Sequence, residues 1–190
     1  MLPKRIIISG ASGSGKSTVI NYLLEKYPEK FRLSVSHTTR KKREKETDHK
    51  EYHFISKEEF LRKIENNEMF EYQIFNNEYY GTSFAELNSC DKTTLFDLGK
   101  VGVEIARQNC ISGIYISILC SHDLLLSNLI HRIGKENLND KTLNDIYGRL
   151  EEYKRDESFF TGDLFDYKVF NISIDQLRKD VCNILNLELK

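Results

Sequence analysis

Long hydrophobic runs are missing from this 190-residue chain. None approaches the roughly 20 residues of a membrane span, so a transmembrane protein is not expected. An excess of one charge is missing too. There are 28 Lys+Arg against 29 Asp+Glu, a net charge of −1. That balance lacks the basic footprint of a chain that coats nucleic acid. The four cysteines, Cys90, Cys110, Cys120 and Cys182, show no CxxC or metal-ligand spacing. Reduced, mostly buried thiols in an intracellular protein are the expectation. The histidines show no metal-ligand spacing either. Met1–Ile8 has no long apolar stretch and no small-residue cleavage site, so a secretory leader is not expected and a cytoplasmic location is. Internal repeats and low-complexity segments are absent.

What is present suffices to fold. Hydrophobic residues make up 39% and aromatics 11%, which argues against disorder. The length fits about one domain, perhaps with small subdomains. A chain of this size buries roughly 70% of its unfolded surface and needs no disulfide or metal.

Strands and helices follow from periodicity. Arg5–Ser9 is a short β-branched run ending at glycine, a buried parallel strand. Ser17–Tyr27 has helical spacing closed by Pro28. Leu33–Thr38 alternates as a strand, 39–50 is a charged loop, and Glu51–Ile55 is a further strand. Ser56 with Glu59 forms a capping-box pattern that opens a helix to about Asn66. Met69–Phe75 and Glu78–Ser83, separated by Asn76-Asn77, give a hairpin signal. Strands over Thr94–Leu98, Gly113–Leu119 and Tyr167–Asn171 then alternate with helices over 100–109, 121–133, 142–160 and 174–187. This rhythm predicts an α/β fold: a three-layer core with a central parallel sheet. Its parts are 1–33 and 84–190, with 34–83 an inserted strand-rich lobe. The polar stretch 134–143 reads as a mobile connection.

Gly10-Ala-Ser-Gly-Ser-Gly15-Lys16-Ser17 matches G-x-x-x-x-G-K-[ST] between a strand and a helix. Such a loop turns several N–H groups and a helix N-terminus toward one anion. It is expected to bind a nucleoside triphosphate through Gly10, Ala11, Ser12, Gly13, Ser14, Gly15, Lys16, Ser17 and Thr18. Lys16 supplies a cation to the β/γ-phosphates, and the Ser17 hydroxyl suits Mg²⁺. Asp97, at the end of a neighbouring strand, suits a water of the Mg²⁺ shell or reads as an ordinary polar strand end.

Ser34-Val-Ser36-His-Thr-Thr-Arg40-Lys-Lys-Arg43 packs four cations into four positions. Arginine forks suit phosphate, while a solvated charge run is the plain alternative. Beside a phosphate loop, the cluster suggests a second phosphate-bearing substrate.

At this point the sequence resembles guanylate kinase, a family of P-loop nucleoside-monophosphate kinases. The resemblance rests on GASGSGKST at 10–18, SVSHTTRKKR at 34–43, EYHF at 51–54, NEMFEYQIF at 67–75, YYGT at 79–82, LFDLGKVG at 95–102 and Arg149 in YGRL. It implies ATP and GMP as substrates, ADP and GDP as products, and Mg²⁺ as cofactor. It places the GMP phosphate on Arg40, Arg43, Tyr52 and Tyr80, and guanine on Ser36, Glu71 and Thr82. Gly81 and Asp97 are counted with this acceptor site. The resemblance adds lid cations at Arg132 and Arg149, in a lid over about 132–149, and an adenine-side contact at Asn171. Lys16, Arg43, Arg132 and Arg149 are the expected catalytic cations.

The base assignment has its own chemistry. Guanine presents N1–H and N2–H₂ side by side, and one carboxylate accepts from both. Hydroxyls can donate to O6. Adenine inverts these pairings, and each unsatisfied buried group costs about 1–3 kcal/mol. Phe70, Tyr72 and Phe75 read as lobe core or as a stacking surface for the base. Three features depart from the family pattern. Gly99 stands where a second acidic residue is usual. Asn128 stands where a further lid arginine is usual. The connection between Arg132 and Arg149 is longer than typical. A guanylate-kinase-like binding module without catalysis and a kinase for another nucleotide are the competing readings. The intact phosphate loop opposes the first and the Ser36/Glu71/Thr82 set the second. A monomer is expected, with a dimer left open, and neither nucleic acid nor a membrane is an expected partner.

Overall fold

A computed structural model of the chain describes residues 2–43, 46–50, 52–75, 77–89 and 91–188. A five-stranded parallel sheet forms from β1 (Arg5–Gly10), β2 (Phe31–Leu33), β7 (Thr93–Asp97), β8 (Ile114–Cys120) and β9 (Tyr167–Asn171), in the order β2-β7-β1-β8-β9. Central β1 pairs with β7 and β8 along its two edges, and a core packs against each of its faces. That is why its three isoleucines run consecutively. Ile6 and Ile8 face one core with Val19, Leu23, Leu177 and Val181. Ile7 faces the other with Phe96, Val103, Leu125 and Tyr153. Each fully buried isoleucine contributes about 2 kcal/mol.

Helices α1 (Lys16–Lys26) and α7 (Ile174–Ile184) cover the first face. Helices α4 (Lys100–Gln108), α5 (His122–Ile133) and α6 (Asp140–Phe160) cover the second. The expected three layers around a parallel sheet are present. The carboxyl ends of β1, β7 and β9 (Gly10, Asp97, Asn171) lie along one edge, where open α/β sheets bind ligands.

A second sheet has the order β4-β3-β6-β5, from β3 (His37–Thr38), β4 (His53–Phe54), β5 (Met69–Phe75) and β6 (Glu78–Ser83). Helix α2 (Lys57–Glu65) is capped by Ser56, whose hydroxyl accepts from the Glu59 amide at 3.1 Å.

Four local expectations need correction. The single strand over 33–38 is two strands in two sheets. The Ser34 amide still donates to Leu95 beside β7, whereas Ser36 accepts from His53 of the second sheet. Polar 134–143 is not one loop: a 3₁₀ turn spans Lys135–Asn137, and the Asn139–Thr142 capping box starts α6 at Asp140. A short helix, α3 (Phe84–Asn88), follows β6 where none was expected, capped by Ser83. The last helix ends at Ile184. The Asn76 half of the hairpin signal, Glu51 and Cys90 lie outside the described residues; Asn77 takes a positive φ of 63°.

Candidate active site

The phosphate loop leaves β1 at Gly10 and enters α1 at Lys16. Gly15 is the N-cap with φ 111°, and no side chain caps the helix. The first-turn N–H groups are therefore left for a ligand. A Cβ at Gly15 would stand 2.7 Å from the Asn171 amide, so only glycine fits. Lys16 Nζ donates to the carbonyls of Gly10 (2.8 Å) and Ala11 (3.1 Å) and lies 3.9 Å from Asp97.

Side chains from three distant elements grip three successive loop residues. Arg149 Nη1 donates to Ser12 Oγ, Asn128 Nδ2 to the Gly13 carbonyl and Asn171 Nδ2 to the Ser14 carbonyl, each at 2.8 Å. Asn171 was expected at the adenine. It lines the loop's cavity but spends its amide on the loop, and its buried Oδ1 has no partner.

Two cavities meet at this edge of the sheet. One of about 730 Å³ is lined by Ser12, Gly13, Lys16, Thr18, Arg132 and Asn171, among others. One of about 170 Å³ is lined by Ser34, Ser36 and Thr82. Ser17, Tyr52 and Asp97 line both. A third hollow of about 240 Å³ gathers Arg43, Arg132 and Arg149 with Asp145. The three expected catalytic arginines thus converge from a loop, α5 and α6. Another hollow of about 780 Å³, outside α5, holds neither the loop nor an arginine cluster. Its volume does not make it the site.

Hard oxygen donors, the Ser17 hydroxyl and the Asp97 carboxylate, line both meeting cavities. This donor set fits Mg²⁺ held chiefly by phosphate oxygens and waters. Among the described residues, no group of three or more His, Cys, Asp or Glu forms a self-sufficient metal cage.

In the second sheet a β-bulge between Met69 and Glu71 aims Glu71 inward, directly across from Thr82. Both are buried. Burial pushes the Glu71 carboxyl above its usual value, and the Thr82 hydroxyl and amide beside it act the other way. The Thr82 hydroxyl has no partner of good hydrogen-bond geometry. Gly102 of α4 lies beside the carboxyl: a Cβ there would meet Glu71 Cδ at 3.5 Å, an ordinary van der Waals contact. Gly81 is far more tightly placed: a Cβ would lie 2.5 Å from the Glu71 carbonyl, so only glycine fits. Gly99 leaves space beside Gln73. Of the aromatics, Phe70 is buried, Tyr72 is 42% exposed, and the Phe75 side chain lies outside the described residues. Tyr72 is therefore not core.

Arg40 stands 5.4 Å from the Tyr52 ring, which lies 6.0 Å from that of Tyr80. Desolvation raises the Tyr52 hydroxyl's pKa, keeping it a hydrogen-bond donor. The sequence reading missed Glu46, which pairs with Arg40, and Asp145, which holds Arg149 Nε at 3.0 Å. A carboxylate three residues past Arg43 was the available signal for the first. An i,i+4 acid–base pair was the signal for the second.

Known proteins resemble this chain along nearly all its length. The sequence model described as Guanylate kinase matches residues 2–188. A guanylate kinase of Helicobacter pylori (strain ATCC 700392 / 26695) is 32% identical over 94% of this chain and 84% of its own. One of Homo sapiens is 31% identical over 99% and 95%. A crystal structure of guanylate kinase from Anaplasma phagocytophilum superposes with a TM-score of 0.68 at 26% identity, over 97% of this chain and 85% of that one. The phosphate loop, the paired sheets and these matches have one common explanation: the chain belongs to the guanylate kinase family.

Proposed function

We propose that the chain transfers the γ-phosphoryl group of ATP to the phosphate of GMP, giving ADP and GDP. The observation that carries this reading is the buried Glu71–Thr82 pair, whose Thr82 shares a cavity with Ser17 of an intact phosphate loop. In this reading Glu71 accepts from guanine N1–H and N2–H₂, and Ser36 and Thr82 donate to O6. Arg40, Arg43, Tyr52 and Tyr80 hold the acceptor phosphate, with Gly81 and Asp97 beside it. Residues 34–83 form the acceptor lobe, and 1–33 with 84–190 the core.

The reaction needs little covalent help. A phosphate monoester with a second pKa near 6 is already ionised at neutral pH, so no side chain must take a proton from the attacking oxygen. The residues position two anions in line and neutralise the charge that spreads over the moving group. Lys16, Arg43, Arg132 and Arg149 carry that charge. Ser17, and Asp97 through a water, would hold Mg²⁺. Bound there, the ion would supply positive charge to offset that of the phosphates. Residues 132–149 act as the lid. Gly134, at φ 85°, stands at its turn, and closure excludes the water that competes as acceptor.

No described helix is long and apolar enough to cross a membrane. We place the enzyme in the cytoplasm, as a monomer or a dimer. Its described cysteines, 110, 120 and 182, are free thiols.

The test is ADP release with ATP and Mg²⁺, comparing GMP, AMP, UMP, CMP and no acceptor. Turnover that depends on GMP is expected. Preference for another nucleotide would overturn the role given to Glu71. A folded protein that binds ATP but uses no acceptor would shift the reading to a non-catalytic binding module.

A further inference from the structure

We propose that Asn128 is a positioning residue of the donor site, acting through the Gly13–Ser14 peptide of the phosphate loop. By family pattern Asn128 is only a lid cation lost. Its geometry gives it a task of its own.

The Asn128 amide donates to the Gly13 carbonyl at 2.8 Å. In a trans peptide the C=O and the following N–H point opposite ways. The N–H of this plane, on Ser14, donates to the Ala11 carbonyl at 3.1 Å and closes a turn. Asn128 holds one end of the plane and Ala11 the other. Gly13 has φ 96° and no Cβ, so beyond the Ala11 bond little in the loop itself fixes this plane. Turned over, it would break the Ser14–Ala11 turn bond, set two carbonyls against each other and reshape the loop that wraps the anion.

The helix is built to make this contact. Leu125, Asn128 and Leu129 lie on one face of α5 by their i, i+3, i+4 spacing. A Cβ at Gly13 would lie 3.3 Å from Leu125 and 3.4 Å from Leu129. The apolar pair seats the loop and the amide fixes its orientation. Arg149 and Asn171 grip the residues on either side but leave this plane to Asn128.

The inference rests on the loop being the ATP site. Its test measures KM for ATP, KM for GMP and the Kd of ADP by calorimetry in wild type, Asn128→Leu, Asn128→Ala and Asn128→Gln. Leucine keeps the volume and removes the donor. Both donor-less variants should raise KM for ATP and the Kd of ADP about five- to tenfold. KM for GMP should stay within about twofold. Glutamine, which keeps the donor on a longer arm, should recover part of the loss. ATP and ADP affinity unchanged in the leucine and alanine variants overturns the proposal, as do equal losses for ATP and GMP. Should leucine prevent folding, alanine against glutamine decides alone. A wild type that binds no ADP would overturn the donor-site reading itself.

Discussion

Glu46 holds the Arg40 guanidinium by both oxygens, at 2.8 and 2.9 Å, the two-point grip that a phosphate would take. The same carboxylate accepts from the Arg43 amide at 2.8 Å. The arginine is therefore held in place before any phosphate arrives. The hydrogen bond from Arg40 holds the Glu46 pKa down at about 2.

Under the proposed function, Arg40→Ala removes a phosphate donor and leaves Glu46 without its guanidinium partner. KM for GMP should rise at least about tenfold, the effect of losing a charged hydrogen bond, with KM for ATP nearly unchanged. Steady-state kinetics with each nucleotide varied in turn checks this.

The pH dependence of the pair has a definite sign. Because folding depresses the Glu46 pKa, the pair's stabilisation is complete above about pH 4.5 and disappears as pH falls toward about 2. Denaturant titrations of wild type and Glu46→Gln should differ at pH 7 and converge by about pH 2.

His37 acts in a higher window. It is buried, its Nδ1 has no partner, and the His53 ring lies 4.6 Å away. Burial, then His53 and Lys63, lower its pKa to about 4. Between about pH 6.5 and 4 the unfolded chain binds a proton that the folded one refuses. Stability should fall as pH drops through that range, by on the order of 3 kcal/mol at most. His49 stands beside His53, and Glu86 lies 3.6 Å from the His53 ring nitrogen, in the same cluster. Thermal melts of wild type and His37→Gln from pH 7 to 4 should show a flatter dependence in the variant.

Lys16→Met should lower turnover by two orders of magnitude or more. The fold should tolerate it, since Lys16 bonds to two loop carbonyls at a cavity wall and pairs at 3.9 Å with a partly exposed Asp97. A melting temperature within a few degrees of wild type, beside lost activity, is the expected pair of results.

Glu71→Gln places an N–H₂ where one of guanine's donors must be accepted. KM for GMP should rise about ten- to a hundredfold, and the preference for GMP over AMP should shrink. Specificity constants for both nucleotides check it. Unchanged GMP kinetics would remove Glu71 from the base site.

The features legible in the sequence were the local ones. The phosphate loop is nine consecutive residues between a strand and a helix, and its chemistry is written in its own glycines, lysine and serine. The consecutive isoleucines of β1 announced a strand covered on both faces. What escaped depends on residues far apart. Alternation over 33–38 cannot reveal that Leu33 pairs with β7 and His37 with β6. Asn128 showed only as a missing cation, because its partner Gly13 is 115 residues away. The Arg40–Glu46 pair lies within one loop, yet no periodicity marks it.

The wall shared by the two cavities has a thermodynamic consequence. Ser17, Tyr52 and Asp97 border both, so whatever one occupant does to these side chains the other must feel. Such a coupling free energy is reciprocal: if GMP changes the affinity for ATP by some factor, ATP changes the affinity for GMP by the same factor. On the proposed assignment of acceptor and donor, Ser17, Tyr52 and Asp97 are the side chains through which the two binding equilibria would be linked.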